Sequence, residues 1–166
     1  MSDRLLTVQP ARVEDVPAIY RMIAALAAYE KLDHLRTGSE AELGRALFGD
    51  HPAAEVLIGR IGTQIGGFAL FFHNFSTFLA RRGLWLEDLF VYPDYRGLGL
   101  GRALLAATAA IARQRGCGRF EWAVLDWNAP ALRFYEGLGA TVMPDWRIAR
   151  VTGAALDQLA DGGARR

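Results

Sequence analysis

The sequence predicts a mixed domain of the α/β or α+β class, in which helices flank a central sheet. Three observations support this prediction. Several segments repeat apolar residues at spacings of three and four, the period of a helix with one buried face. Other segments are short, apolar and rich in β-branched or aromatic residues, as strands are. Glycine and proline separate the two kinds of segment, and the resulting order is βααβββαβαβ.

The first half of the chain is expected to form a strand, two helices and a β-hairpin. Ile19 and Ile23 lie on one side of the first predicted helix. Ser39 and Glu42 fit a capping box at the start of the second helix. Gly62 interrupts two apolar runs, as the turn of a hairpin would. These elements are placed over residues 5–8, 14–29, 39–48, 55–60 and 64–72.

The second half is expected to alternate strands with helices. Pro93 ends a long strand, Gly116 is placed to cap the C-terminus of a helix, and Pro130 fits the first turn of another. These elements are placed over residues 84–92, 98–115, 119–125, 129–138 and 141–151, the last as one strand or a pair of strands.

Composition places the chain among globular proteins of one domain. Its 166 residues are 52% hydrophobic and 22% charged with a net charge of +1, which gives no reason to expect a nucleic-acid or membrane partner. The one cysteine, Cys117, excludes an internal disulfide, and the three histidines show no metal-ligand spacing. We expect one cytoplasmic domain over residues 1–166, with a frayed tail at 161–166 and no metal, secretion signal or membrane span.

The stretch DYRGLGLGR, residues 94–102, joins a predicted strand to a predicted helix. A glycine-rich turn before a helix exposes backbone N–H groups that hold phosphate oxygens. A Walker A loop is excluded because Arg102 follows Gly101, and the dinucleotide-binding motif is excluded because the glycines alternate as Gly-x-Gly-x-Gly. The arginines on both sides indicate that something negatively charged binds there. The alternative is a turn that serves only the packing of strand against helix.

The strand before this loop carries two adjacent carboxylates, Glu87 and Asp88. Burial of a carboxylate is costly unless it meets a cation, so a cationic substrate or a catalytic role would explain the pair. An ion pair or a solvated strand end is the alternative for Asp88. Two-residue alternation predicts one face with Trp85, Glu87, Leu89 and Val91, and another with Leu86, Asp88, Phe90 and Tyr92.

Three segments together resemble the GCN5-related N-acetyltransferase (GNAT) superfamily, and within it the diamine branch of spermidine/spermine and thialysine acetyltransferases. The segments are LEDLFVYPDYRGLGLG, WNAPALRFYEGLGA and, nearer the N-terminus, AAYEKL. Arg96, Gly99 and Gly101 fill the family's pyrophosphate motif, and the likeness runs from about residue 5 to residue 160. The resemblance implies the GNAT fold, a mixed central sheet of about six or seven strands flanked by helices, and a homodimer.

The resemblance also implies roles for individual residues. Glu87 would help the amine lose a proton, the Val91 amide would polarise the thioester carbonyl, and Tyr135 would protonate the departing thiolate. For Tyr135, beside Phe134, core packing is the alternative. Acetyl-CoA is implied to bind at Leu89, Phe90, Val91, Arg96, Gly97, Leu98, Gly99, Leu100, Gly101, Arg102, Asn128, Ala129, Pro130 and Ala131. The amine is implied to face Tyr29, Glu30, Glu87, Glu121, Trp122, Ala123 and Asp145.

The implied function is transfer of an acetyl group from acetyl-CoA to a primary amine of a small polyamine or amino-acid-like molecule, by direct attack. Two alternatives stay open: acetylation of a protein N-terminus, a protein lysine or an antibiotic amine, and acyl-CoA sensing without turnover. The segment after Gly139 is shorter than in the animal enzymes, and only Asp145 offers an acidic contact there. The register of Arg81 and Arg82 is also open, so the length and charge of the preferred amine are not fixed.

Overall fold

The computed structural model describes residues 5–162, and their contacts form two compact units that divide after Ala123. The first unit holds the β-sheet, and the second holds two short helices. Asp161 caps the last helix, whereas residues 163–166 of the predicted tail lie outside the described residues. A single domain over residues 1–166 stays a prediction.

Within its described residues the first unit contains five strands and three α-helices. The strands are β1 (Leu6–Pro10), β2 (Glu55–Ile61), β3 (Gln64–Ser76), β4 (Arg81–Val91) and β5 (Phe120–Trp122). The helices are α1 (Val16–Tyr29), α2 (Glu40–Phe48) and α3 (Leu100–Gln114). Short 3₁₀ turns lie at Val13–Asp15, Asp33–Leu35 and Pro93–Tyr95. The second unit contains α4 (Ala129–Glu136) and α5 (Ala154–Ala160).

The five strands form one sheet in the order β1-β2-β3-β4-β5. Neighbours from β1 to β4 are antiparallel, and β5 runs parallel to β4. A parallel pair needs a crossover connection, which α3 supplies between β4 and β5. The predicted mixed class, with helices flanking a sheet, is confirmed. The described sheet has five strands, however, and not six or seven.

The predicted strand or strand pair over residues 141–151 is wrong, because this segment is irregular and exposed. Its alternating side chains suit a strand, but a strand also needs a neighbour whose backbone supplies hydrogen bonds. No segment in the described part of the chain pairs with it. β5 is likewise shorter than predicted, with three residues in place of 119–125. Helix α5 is not among the elements predicted from the sequence.

Helices α1 and α2 cover one face of the sheet. Ile19 and Met22 of α1 and Leu47 of α2 are buried with Ile58 and Phe68 in one apolar cluster. Full burial of an aliphatic or aromatic side chain contributes about 1.5–3 kcal/mol to folding. The cluster also includes Phe90 of β4, so α1 is fixed against the strand that carries the candidate carboxylates.

Helix α3 lies very close to the opposite face, where glycines leave room for it. A Cβ atom added at Gly59 would lie 2.7 Å from Cδ1 of Leu100, and one at Gly66 would lie 2.7 Å from Cδ2 of the same leucine. Leu100 is the first residue of α3 and is buried. The packing therefore fixes the start of α3 against β2 and β3.

We expect Gly67→Ala to lower the free energy of unfolding by about 1–3 kcal/mol, the usual cost of overpacking. A Cβ atom at Gly67 would overlap the backbone carbonyl of Phe90 on β4, which the sheet prevents from moving aside. Urea denaturation measures the loss. Gly38→Ala is the control, since a Cβ atom there meets nothing within 4 Å. Equal stability of the two variants would contradict this account of the sheet.

Candidate active site

A β-bulge in β4 interrupts the alternation predicted from the sequence. Asp88 pairs with Leu70 of β3 and Leu86 pairs with Phe71, so Glu87 is an extra residue with no opposite partner on β3. Leu70 belongs to the cluster under α1 and α2, and Phe71 faces the other way because successive strand residues alternate. Asp88 and Leu86 therefore lie on opposite faces. The prediction that they share a face is wrong.

The edge of β4 beyond the bulge is open, because β5 pairs with β4 only as far as Leu86. The N–H of Tyr92 donates to the carbonyl of Gly66 on the β3 side. Backbone groups alternate in direction along an extended strand. The N–H groups of Leu89 and Val91 therefore point to the open edge, where an extended ligand can bond to them. The Phe90 side chain is buried in the core.

The glycine-rich loop has the geometry of an anion site. Gly97 and Gly99 adopt left-handed backbone conformations with φ of +74° and +86°, which side chains with a Cβ rarely adopt. Gly99 is the N-cap of α3, and no side chain among the described residues caps this helix. The first turn of an α-helix has N–H groups without partners inside the helix, and its dipole favours a negative charge. Leu98 and Arg102 are exposed beside it.

Arg96 connects the loop to the end of α1. Its Nε donates to the carbonyl oxygen of Val91 over 3.0 Å, and its guanidinium carbon lies 5.0 Å from the centre of the Tyr29 ring. A guanidinium over an aromatic face is attracted by the ring's quadrupole. Arg96, which the resemblance implies binds acetyl-CoA, thus contacts Tyr29, which the resemblance implies faces the amine. Sequence analysis missed this contact, because 67 positions separate the two residues.

Three carboxylates gather on the α1 side of the bulge. Burial, helped by the charges of Glu87 and then Glu30, raises the pKa of Asp88 to about 7. Burial also raises the pKa of Glu30, which caps the C-terminus of α1. Glu87 is exposed and accepts a hydrogen bond from Nε1 of Trp85 over 2.9 Å. No ion pair within residues 5–162 involves any of the three. The cluster is therefore suited to attract a cation and to exchange a proton near neutral pH.

The predicted amine residues of β5 lie beside β4 but before the open edge. Glu121 is opposite Trp85 in the sheet, and Trp122 is opposite Leu86. Nε of Arg119 lies 2.7 Å from the Glu121 carboxylate, and Nδ2 of Asn74 donates to it over 3.2 Å. These contacts already balance the charge of Glu121, which makes it a weaker anchor for an amine than the three carboxylates at the bulge. Ala123 follows β5 and is exposed.

In the second unit, α4 carries the remaining predicted cofactor residues and the tyrosine. Asn128 is buried and caps this helix, with Oδ1 accepting from the N–H of Ala131 over 3.3 Å. Pro130 lies in the first turn, next to Ala129. Tyr135 is half-buried, and its ring centre lies 5.3 Å from that of Phe134. Asp145 lies in an exposed irregular segment. The roles implied for these residues stay predictions.

Two further observations concern residues 5–162, one on metal ligands and one on membrane-spanning helices. No group of three or more histidine, cysteine or acidic side chains there could hold a metal ion. None of the helices in that range is long and apolar enough to cross a membrane.

Comparisons with known proteins find a matching family model and similar enzymes. The model of the Acetyltransferase (GNAT) family matches residues 20–140. A thialysine N-epsilon-acetyltransferase from Mus musculus is 37% identical, over 92% of this chain and 96% of its own length. An L-ornithine N5-acetyltransferase from Arabidopsis thaliana is 33% identical, over 87% of this chain and 83% of its own length.

Among solved structures, an integron cassette protein from V. cholerae has a similar fold, with a TM-score of 0.79, 24% identity and coverage of 95% of this chain and 98% of its own. The resemblance to the GNAT superfamily and its thialysine-acetylating members is confirmed. The chain belongs to the GNAT family and is an N-acetyltransferase.

Proposed function

We propose that this chain transfers the acetyl group of acetyl-CoA to a primary amine of a small diamino acid or polyamine. The observation that carries the proposal is a group of three carboxylates that make no ion pair within residues 5–162, Glu30, Glu87 and Asp88, beside the open edge of β4. The relatives named for thialysine and L-ornithine acetylation support the choice of a small amine. The homodimer implied by the resemblance and the cytoplasmic location expected from the composition stay predictions.

On the cofactor side, the open edge and the loop supply donors at two places. The N–H groups of Leu89 and Val91 would bond to the extended arm of acetyl-CoA, whose pyrophosphate would meet the N-terminus of α3. Acetyl-CoA fits this site because the first turn of α3 lacks a side-chain cap and a Cβ atom at Gly97 would meet nothing within 4 Å. Arg102 would add positive charge at the rim.

On the amine side, the carboxylates would perform two tasks. An aliphatic amine with a pKa near ~10.4 arrives as a cation, which the acidic cluster attracts. The cation must then lose a proton before its nitrogen can act as a nucleophile. We assign this proton transfer to the pair Glu87 and Asp88, directly or through water. The pKa of Asp88, about 7, is close to neutral pH, and a general base is most effective when its pKa is near the pH at which the enzyme works.

The neutral nitrogen would then attack the thioester carbonyl carbon, forming a C–N bond. Negative charge on the carbonyl oxygen would be stabilised by the N–H of Val91, a kind of donor whose removal costs about 3 kcal/mol in other enzymes. The C–S bond would break as the carbonyl re-forms, and Tyr135 would give its proton to the sulfur. No covalent intermediate with the protein is required.

The choice between an amino acid and a polyamine depends on a second charge. An amino acid brings a carboxylate, for which Arg81, Arg82 or Arg147 is a candidate partner. A polyamine brings another cation, for which Asp145 is a candidate partner. Arg81 and Arg82 are exposed at the start of β4, at the opposite end of the strand from the glycine loop. The relatives named for amino-acid amines favour the first choice.

Thiol release from acetyl-CoA tests the proposal, with ornithine, thialysine, lysine, putrescine, spermidine, an aminoglycoside and a histone-like peptide as acceptors. We expect turnover with the small diamino acids or diamines, because their second amine or ammonium group matches a compact acidic cluster. Turnover confined to the peptide or the aminoglycoside would contradict the proposed substrate class. Tight binding of acetyl-CoA without release for any acceptor would favour the sensor alternative.

The variant Tyr135→Phe tests, in the same assay, whether the Tyr135 hydroxyl donates the proton to the departing thiolate. We expect kcat to fall about 100- to 10,000-fold, since proton donation is lost while the ring is kept. Acetyl-CoA affinity should not change. Tyr20→Phe is the matched control, because the Tyr20 hydroxyl bonds to Arg36 and to the Gly38 carbonyl, away from the loop and the acidic cluster. An unchanged kcat in Tyr135→Phe would remove its role.

Thermal unfolding tests the environment of Asp88 without reference to activity. In the folded chain Asp88 keeps its proton up to about pH 7, whereas an ordinary aspartate, with a pKa of 3.8, loses its proton at a lower pH. The folded state therefore binds more protons than the unfolded state between these values, and its stability falls as the pH rises through them. Above pH 7 the whole penalty is present.

We expect Asp88→Asn to raise Tm at pH 8 by about 2–6 °C, because the variant has no charge to bury. The difference should shrink as the pH approaches 4. Asp50→Asn, at an exposed position, should show no such trend. A gain for Asp88→Asn that is the same at pH 4 and pH 8 would contradict the assignment of a raised pKa.

A further inference from the structure

Glu87, to which we assign part of the proton transfer, has no strand residue opposite it on either edge of β4. On one edge the bulge leaves it without an opposite residue on β3. On the other edge β5 pairs with β4 only as far as Leu86. Side chains directly opposite one another on paired strands interact and hold each other in place. The exposed side chain of Glu87 lacks such neighbours, so its position depends on other contacts.

Trp85 supplies a contact of this kind from the same strand. Its indole Nε1–H donates a hydrogen bond to Oε2 of Glu87 over 2.9 Å. An indole N–H can only donate, so Oε2 is the acceptor. In the part of the chain that the structure describes, Oε1 of Glu87 takes part in no hydrogen bond or ion pair. One oxygen of the carboxylate is thus held by the protein, and the other is left for an ammonium group.

Trp85 is itself fixed, because it lies where β4 is paired on both edges. It is half-buried, opposite Phe72 on β3 and Glu121 on β5. The Glu121 carboxylate is a second acceptor beside the indole, but Nε of Arg119 already lies 2.7 Å from it. The indole N–H is therefore left for Glu87, and the paired part of the sheet fixes a side chain of the unpaired part.

The hydrogen bond also concerns Asp88, the residue after Glu87. Burial is the largest cause of the raised pKa of Asp88, and the charge of Glu87 is the next largest, so the two carboxylates lie close together. Trp85 lies on the same face as Asp88, because their partners Phe72 and Leu70 are two residues apart on β3. A hydrogen bond from Trp85 therefore keeps Glu87 on the face where the pair acts.

We propose that Trp85 is a positioning residue for acetyl transfer: its indole N–H holds Oε2 of Glu87, so that Oε1 meets the amine of the acceptor. The inference rests on the proposed function, because it concerns how Glu87 performs its part in that function. Trp85 is not among the residues that the resemblance implies for either substrate. It acts through Glu87 and touches neither acetyl-CoA nor the reacting nitrogen.

A double-mutant cycle in the thiol-release assay tests this role, with Trp85→Phe, Glu87→Ala and the double variant. Trp85→Phe keeps an aromatic ring in the sheet and removes only the N–H donor. We expect it to lower kcat/KM for the preferred small amine about 3- to 10-fold, as loss of one hydrogen bond does, with KM for acetyl-CoA unchanged. In the Glu87→Ala background the same substitution should have no further effect, because the acceptor oxygen is absent.

NMR of the indole N–H groups, in the full chain labelled with ¹⁵N-tryptophan, tests the hydrogen bond without an activity readout. The chain has four tryptophans, and the Trp85 resonance is the one that Trp85→Phe lacks. We expect Glu87→Ala to shift this resonance upfield and to speed the exchange of its proton with water, because the N–H loses its acceptor. The resonance of Trp146, which is 75% exposed, is the control and should not move.

The two measurements separate failure of this inference from failure of the proposed function. Turnover of a small amine with the same kcat/KM in Trp85→Phe would overturn the inference and leave the proposed function intact. An equal loss in both backgrounds would also overturn it, since the ring would then act without Glu87, and so would a Trp85 resonance that Glu87→Ala does not shift. If no small amine is acetylated although that resonance does shift, the proposed function fails, and the role of Trp85 in it fails as well.

Discussion

An extra residue in β4, Glu87, allows the first part of the strand to pack in the core and the second part to present an open edge. From Leu84 to Leu86 the strand is paired on both edges, with β3 and β5, and the side chains of Leu84 and Leu86 are buried in the core. Beyond Glu87 the strand pairs only with β3, so the N–H groups of Leu89 and Val91 point to an open edge. The bulge also turns Asp88 to the α1 face. A regular strand would place Asp88 on the α3 face, opposite Glu30 and the rest of the acidic cluster.

The charges follow from this geometry. The three carboxylates stand on the α1 face without an ion-pair partner in the described chain, and mutual repulsion adds to burial in holding the proton on Asp88. The positive groups lie at the end of the same strand, where Arg96 and the start of α3 meet the glycine loop. Arg96 also lies over the Tyr29 ring, so the proposed cofactor side and the proposed amine side are in direct contact. A cationic acceptor and an anionic cofactor can therefore bind close together without competing for the same groups.

The sequence predicted the features that depend on local chemistry. The glycine loop, the capping box at Ser39 and the place of Pro130 in the first turn of α4 depend on residues a few positions apart, and the structure has each of them. The bulge was not predictable, because the run around Glu87 is equally apolar in either register and only pairing with Leu70 and Phe71 selects one. The prediction of a strand over residues 141–151 was wrong for a related reason. Alternation of side chains indicates a strand, but it does not show whether a neighbouring strand is present to pair with it. The raised pKa of Asp88 and the Arg96–Tyr29 contact likewise arise between distant parts of the chain.

The central claim is that the open edge of β4 and the first turn of α3 together hold the cofactor. NMR-detected amide hydrogen exchange, with and without acetyl-CoA, measures this residue by residue. The account predicts slower exchange at the amides of Leu89 and Val91 and in the turn from Gly99 to Arg102, with no change in β1 or β2. Unchanged exchange at Leu89 and Val91 while acetyl-CoA is bound would contradict it, since the cofactor would then lie elsewhere.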